Sequence, residues 1–243
     1  VTKLLLAVLV PVVCFATGPA LVQHGANTTP AVGVVTTPKD TTGSALNVVG
    51  CINIVGTTIP ATGVVTDSSG NSYSARSERT VGNLHIRTFY SPNPINSIVQ
   101  TFTCTNTTTQ FIVFYETFSG TGAMPYDVEN GAAATAPGGS AGTTFQGGAV
   151  LPSANNSVVV TFIGVGNAGF GSTLSTVSGF TVTDVFAPGA GASGGGMAYQ
   201  IQTTATSVNP AWASTNLSQP WAIANTVFGP SAASGPKHKS TNE

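Results

Sequence analysis

The stretch Val64-Val65-Thr66-Asp67-Ser68-Ser69-Gly70-Asn71-Ser72-Tyr73 decides the fold class. It opens on three β-branched residues, passes through turn formers, and resumes on an aromatic residue. Asp67 can accept bonds from backbone amides just downstream, Gly70 can take a positive φ, and Asn71 tolerates the left-handed region. A chain with this chemistry reverses tightly and pairs with itself, so the stretch reads as a β-hairpin.

The same pattern repeats outward from this hairpin. Short runs rich in Val, Ile, Thr and Phe alternate with turn residues, and no 3.6-residue periodicity is sustained over a helix length. Strands are expected at 46–55, 63–66, 72–79, 84–90, 97–104, 110–119, 157–165, 180–186, 197–204 and 220–228. Weaker strand signals, diluted by Gly and Ala, lie at 21–26, 128–134 and 143–150. Segments of this length and spacing predict an all-β protein, an antiparallel two-sheet β-sandwich rather than a parallel α/β sheet. No internal repeat is visible. Residues 29–44 read as an extended lead-in, and the Gly-rich segment 187–196 reads as a flexible loop, since no helix follows it to make a phosphate cradle.

Composition limits the partners. Of 243 residues, 7 are Lys or Arg and 8 are Asp or Glu, so 6 % are charged and the net charge is −1. An ordinary soluble domain carries roughly a quarter charged residues. With so little positive charge there is no counterion-release drive toward nucleic acid, and anionic membrane surfaces are poor candidates too. A hydrophobic fraction of 41 % excludes a disordered chain and supplies a large core.

Lys3 precedes an apolar run over residues 4–16 that is short for a bilayer span but matches the core of an export signal. Small residues permit cleavage after Ala16 or after Ala20, and Val1 in place of Met fits an alternative start or a truncation. The expected organisation is a signal peptide at 1–20, a β-sandwich domain at 21–229 and a flexible polar tail at 230–243. The protein is expected to be secreted, extracellular or at the cell surface, with no transmembrane anchor. In that compartment Cys51 and Cys104, each inside a strand-like run, pair as a disulfide or stay as two separately buried thiols.

The hairpin and its neighbours also resemble a known family. The order is the run at 46–55, the V-T-D-S-x-G-N-x-Y hairpin, the run at 84–90, then Phe114-Tyr115-Glu116-Thr117-Phe118-Ser119-Gly120. Pro125-Tyr126-Asp127, Gly179-Phe180-Thr181-Val182 and Trp221-Ala222-Ile223 follow. Over roughly residues 20–228 this resembles a jelly-roll β-sandwich domain, concanavalin-like or immunoglobulin-like, of secreted and cell-surface bacterial proteins of mostly unassigned function. The resemblance implies a two-sheet fold and says little of a ligand. Such domains often occur in tandem, whereas here one copy follows the export segment, which weighs against adhesion by multivalency.

The arginines of the chain, Arg76, Arg79 and Arg87, fall close together on two strands joined by a turn at 80–83. Paired about that turn, Arg76 opposes Arg87 and Glu78 opposes His85, giving a cationic outer strip that an acidic polysaccharide would fit, or else a solvated strand face. Tyr126 and Trp212, flanked by turn residues, are expected to be exposed and to offer stacking faces for sugar rings. Ligand binding is therefore assigned to Arg76, His85, Arg87, Tyr126 and Trp212. Asp127 and Glu129 have the two-residue spacing of a glycosidase acid pair but lack a surrounding aromatic cleft, and no nucleophile motif is present, so catalysis is not expected. Glu116 reads as a strand-end residue capped by a backbone amide. Asp67, Asn71, Asp127 and Glu129 supply oxygens of the kind calcium prefers, although turn formation alone accounts for the first two. His24, His85 and His238 are scattered, so neither metal nor other cofactor is expected. The reading from sequence is a non-catalytic protein binding glycan or cell-surface material, with a self-associating structural protein of the envelope or matrix as the alternative.

Overall fold

The computed structural model describes residues 18–105, 111–135, 143–168, 174–177, 179–186, 192–214 and 220–231. Most of the signal segment, residues 1–17, and most of the polar tail, residues 232–243, lie outside the described residues, as do residues 187–191. The first nine strands are β1 (Ala20–Ala31), β2 (Val34–Val35), β3 (Leu46–Asn53), β4 (Val65–Asp67), β5 (Ser74–Ala75), β6 (Arg79–Val81), β7 (Leu84–Pro92), β8 (Phe102–Cys104) and β9 (Phe111–Ser119). They are followed by β10 (Thr121–Thr135), β11 (Thr143–Gln146), β12 (Ser157–Ala168), β13 (Leu174–Val177), β14 (Thr181–Phe186), β15 (Ala192–Gln202), β16 (Ala211–Ser214) and β17 (Pro220–Pro230). The described residues contain no helix, and every strand pairing is antiparallel.

Two sheets are expected, and the described residues form four. One large sheet runs β1-β9-β3-β7-β5, with β6 also on β7, and the other runs β10-β17-β12-β15-β14. The small sheets are β2-β8-β4 and β11-β16-β13. If β5 and β6 are counted as one interrupted strand, each half of the chain has the same strand order: first, last, third, sixth, fifth in its large sheet, and second, seventh, fourth in its small one. The repeat that no residue pattern betrays is therefore present in the topology.

Three apolar clusters separate four layers. The central one lies between the large sheets and includes Leu46, Ile52, Phe114 and Phe118 from one half with Val160, Phe162, Met197 and Phe228 from the other. An outer cluster joins each large sheet to its small partner, around Cys51, Phe102 and Tyr115 in the N-terminal half and around Ile163, Trp212 and Val227 in the C-terminal half. Strands β3 and β9 are therefore buried along nearly their whole length, as are the seven central residues of β17. This explains why 46–53 and 111–118 read as continuous apolar runs rather than alternating ones: both faces are covered.

Close approach of the large sheets depends on missing side chains. A Cβ on Gly50 would sit 2.7 Å from the Phe162 ring, and one on Gly195 would sit 2.4 Å from Ile52 Cδ1 of the facing sheet. Residues 192–196, read from sequence as part of a flexible loop, instead begin β15, where Gly195 and Gly196 pair with Phe186 and Val185 of β14 and Gly194, Gly195 and Gly196 pair with β12. The correction has a steric cause: packing demands glycine here, and a strand made of glycine lacks the β-branched signature of a strand.

Candidate functional site

Three of the five predicted ligand residues, Arg76, His85 and Arg87, lie around β5, β6 and β7, where the register differs from expectation. Val81 pairs with Leu84, Thr80 with His85 and Arg79 with Ile86, so the turn is the two residues Gly82 and Asn83, with Gly82 at φ 56°. Arg76 therefore does not oppose Arg87. A slip of two positions leaves each side chain on its own face, and Glu78 comes within reach of both His85 and Arg87. Its carboxylate accepts the Ile59 amide at 2.6 Å, lies 3.1 Å from His85 Nδ1 and 3.8 Å from Arg87 Nη2, and all three side chains are only 12–13 % exposed. His85 and Arg87 thus join Glu78 in an internal polar cluster and do not form an outer cationic strip. Desolvation drives this: a charge withdrawn from water requires a partner.

Arg76 has a different environment. The Arg76 amide still donates to the Thr88 carbonyl of β7 at 2.8 Å before residues 77–78 leave the ladder, and the Arg76 guanidinium lies over two rings, 4.0 Å from the centroid of Tyr126 and 5.1 Å from that of Tyr90. The two rings are 6.0 Å apart and nearly parallel. Next to it the Ser77 amide and hydroxyl both donate to Glu129, the amide at 3.2 Å. Tyr126 and Glu129 belong to β10, so this seam joins the two halves at one margin of the central core. Among the described residues Arg76 has no carboxylate within ion-pair distance.

Trp212 is corrected outright. It is 0 % exposed, packed in the outer core of the C-terminal half, and its indole nitrogen donates to Thr161 Oγ1 at 3.0 Å. Its flanking Ala and Ser residues read as loop, whereas they form β16, the middle strand of a small sheet.

The oxygens of Asp67 are fully engaged. Oδ1 accepts the amides of Ser69 at 2.9 Å and Asn71 at 3.1 Å; Oδ2 accepts Asn71 Nδ2 at 2.8 Å, Tyr73 OH at 2.6 Å and Gln100 Nε2 at 2.9 Å. Burial, together with the Asp67 charge, pushes the Tyr73 phenol well above its ordinary value. Five converging donors define a turn organiser and leave no vacant lone pair for a cation. Asp127 accepts the Ser153 amide at 2.7 Å, while Glu129 is taken by Ser77. Cys51 and Cys104 form a disulfide with Cα atoms 6.0 Å apart. It connects β3 to β8 across the outer core, between facing sheets and not between paired strands.

At the other margin of the central core, β1 and β14 meet. Glu116 lies within β9, 0 % exposed, with Oε1 2.8 Å from Thr183 Oγ1 of β14. It is not a strand-end residue with a backbone cap. Burial pushes its carboxyl up to about 8; the Thr183 bond works against that rise and the charge of Asp184 adds to it. His24 Nδ1, on β1, lies 2.8 Å from Asp184 Oδ2. The sequence signal for this group is one acidic residue inside the apolar run 111–118; nothing local foretells Thr183, Asp184 or His24 as its neighbours.

Comparison with known proteins returned no match, whether to a family model, to a curated protein or to a solved structure.

Proposed function

We propose that this chain is an extracellular, non-catalytic β-sandwich protein, with each half of jelly-roll type, that binds an acidic glycan or cell-surface polymer at the Arg76–Tyr126 seam. The observation that carries the reading is the guanidinium of Arg76 stacked on Tyr126 and Tyr90 without a carboxylate partner. A positive charge without a carboxylate partner, held in place by two half-buried tyrosine rings, offers a glycan carboxylate or sulfate a counter-charge at a fixed position. Two of the five residues assigned from sequence, fifty positions apart in the chain, meet at this place. Export is supported by the Cys51–Cys104 bridge and by the apolar segment at 4–16. No helix among the described residues is long and apolar enough to cross a membrane.

The test is a glycan-array screen of the chain beginning at Leu21, followed by titration of Arg76→Ala and Tyr126→Ala. Loss of roughly tenfold or more in affinity for an acidic glycan in each variant is expected. Unaltered binding, or binding to neutral glycans alone, rejects the seam as the site.

A second reading, self-association into envelope or matrix material, rests on a separate observation. Among the described residues, the long strands β1 and β10 are each paired on one side, with β9 and β17 respectively. An open edge of that length is a template for another chain. Sedimentation velocity separates the readings, since a monomer at all concentrations excludes the second.

A further inference from the structure

The seam between β1 and β14 carries two contacts that join the halves, and both run through ionisable groups. Thr183 Oγ1 lies 2.8 Å from Glu116 Oε1 and 3.0 Å from the Met197 carbonyl oxygen. A hydroxyl has one proton to donate, and a carbonyl oxygen has none. If Thr183 donates to Met197, its contact with Glu116 is a hydrogen bond only when the carboxyl is protonated and itself donates to the Thr183 oxygen. The geometry thus favours a neutral acid, with which both contacts are hydrogen bonds, whereas a carboxylate and the Met197 carbonyl compete for the one Thr183 proton. So does the burial: Glu116 is 0 % exposed and its Oε2 has no hydrogen-bond partner, a state far less costly for a carbonyl oxygen than for half of a carboxylate.

The groups around this carboxyl are few. From β1, His24 stands beside it in register and is held 2.8 Å from Asp184. From β14 come Thr183 and Asp184, and from β15 Tyr199, which packs against the central core. On β3 its register partner is Val48, and on its own strand the ring of Tyr115 belongs to the outer core. Among the described residues no lysine or arginine is paired with it. We propose that Glu116 is a buried proton switch for this seam: protonated, it donates to Thr183 and ties β9 to β14 while Thr183 keeps its bond to Met197, and ionised, it competes with Met197 for the single Thr183 proton and sets a second negative charge beside Asp184, loosening β14.

The direction follows from linkage. The folded carboxyl titrates at about 8 against an ordinary value of 4.5, so the native chain holds a proton that the unfolded chain has given up. The stabilisation is complete below 4.5 and is lost as pH rises through about 8. The opposite seam has no counterpart, because there Arg76 stacks on rings and Ser77 donates to Glu129.

Two measurements on the whole chain test this. Infrared difference spectra between wild type and Glu116→Gln are expected to show a protonated carboxyl band at about pH 6 that vanishes by about pH 9. Hydrogen exchange, corrected for intrinsic rates, is expected to show protection of residues 181–186 falling roughly tenfold over that range in wild type and staying level in Glu116→Gln, whose amide still donates. The His24–Asp184 contact is common to both proteins and cancels. Absence of the band at about pH 6, or parallel loss of protection in both proteins, overturns the proposal. If Glu116→Gln does not fold, Thr183→Val serves instead: low protection at every pH is expected, and a pH step like that of wild type rejects the switch.

Discussion

In the N-terminal half the third strand is tied to the seventh by a covalent bond, Cys51–Cys104; in the C-terminal half the same two strand positions are tied by a hydrogen bond, Thr161 to Trp212. Both links cross an outer core from a doubly buried central strand to the middle strand of a small sheet. The physical problem is shared: three short strands make little surface with which to hold themselves against a large sheet. One half solves it by constraining the unfolded chain, through a bridge closing a loop of sequence separation 53. The other solves it with one large aromatic side chain, whose polar atom finds a buried hydroxyl and whose rings fill the space. The comparison teaches that a fold repeated in topology need not be repeated in chemistry, and that no residue at these positions would reveal the repeat.

The comparison can be broken by experiment, most severely at the bridge. Replacing both cysteines by serine should cost about 4 kcal/mol by the chain-entropy relation for a loop of this length. Denaturant unfolding in oxidising buffer would read it, and a change under about 1 kcal/mol would mean that the outer core alone holds the small sheet.

Next in size is the contact both halves share. Gly50→Ala drives a methyl group into the Phe162 ring, and overpacking of this kind costs roughly 1–3 kcal/mol. Combining it with Phe162→Leu should recover part of the loss. Purely additive losses would show that the two sheets do not meet at that point.

A milder change sharpens the comparison from the C-terminal side. Trp212→Phe retains an aromatic ring but removes the donor to Thr161, leaving a buried hydroxyl unpaired at a cost of about 1–2 kcal/mol. If this loss exceeds that of the double cysteine variant, the hydrogen-bonded half is the more dependent on its link.

The smallest effect is expected at the Arg76 seam. Arg76→Ala should lower stability by only about 0.5–1 kcal/mol, the usual worth of a partly exposed cation–π contact. A thermal midpoint lowered as far as in the Gly50 variant would make Arg76 a structural residue first.

The two seams differ in how visible they were. The arginines stood out by crowding into one hairpin of a chain with 6 % charge, so Arg76 was picked out from residue type alone. Its partner Tyr126 was named as an aromatic among turn residues, with no local sign that the two meet. Glu116 was visible as an anomaly, an acid inside an apolar run, yet its neighbours come from β1 and β14, which sequence separates by more than the whole length of a half. Trp212, flanked by turn residues, reads as exposed, whereas Ala211–Ser214 is a strand whose small residues fit a tightly packed middle position.

What the sequence determined by itself is what rests on local chemistry. β-branched and aromatic runs bounded by turn residues specify antiparallel strands, and two cysteines in strand-like runs are compatible with a bridge. The Asp67–Tyr73 stretch specifies a turn but not the hairpin expected of it, because β4 pairs with β8 and β5 with β7 in separate sheets, so the turn carries the chain from one layer to the next. The tertiary structure alone decided the number of layers, the duplication of strand order, the strand role of Gly194, Gly195 and Gly196, and the burial of Glu116 and Trp212. The reason is that side-chain periodicity records whether a strand has a dry face but not what dries it. A residue covered by a facing sheet, and one covered by a chain segment a hundred positions away, leave the same mark on the sequence.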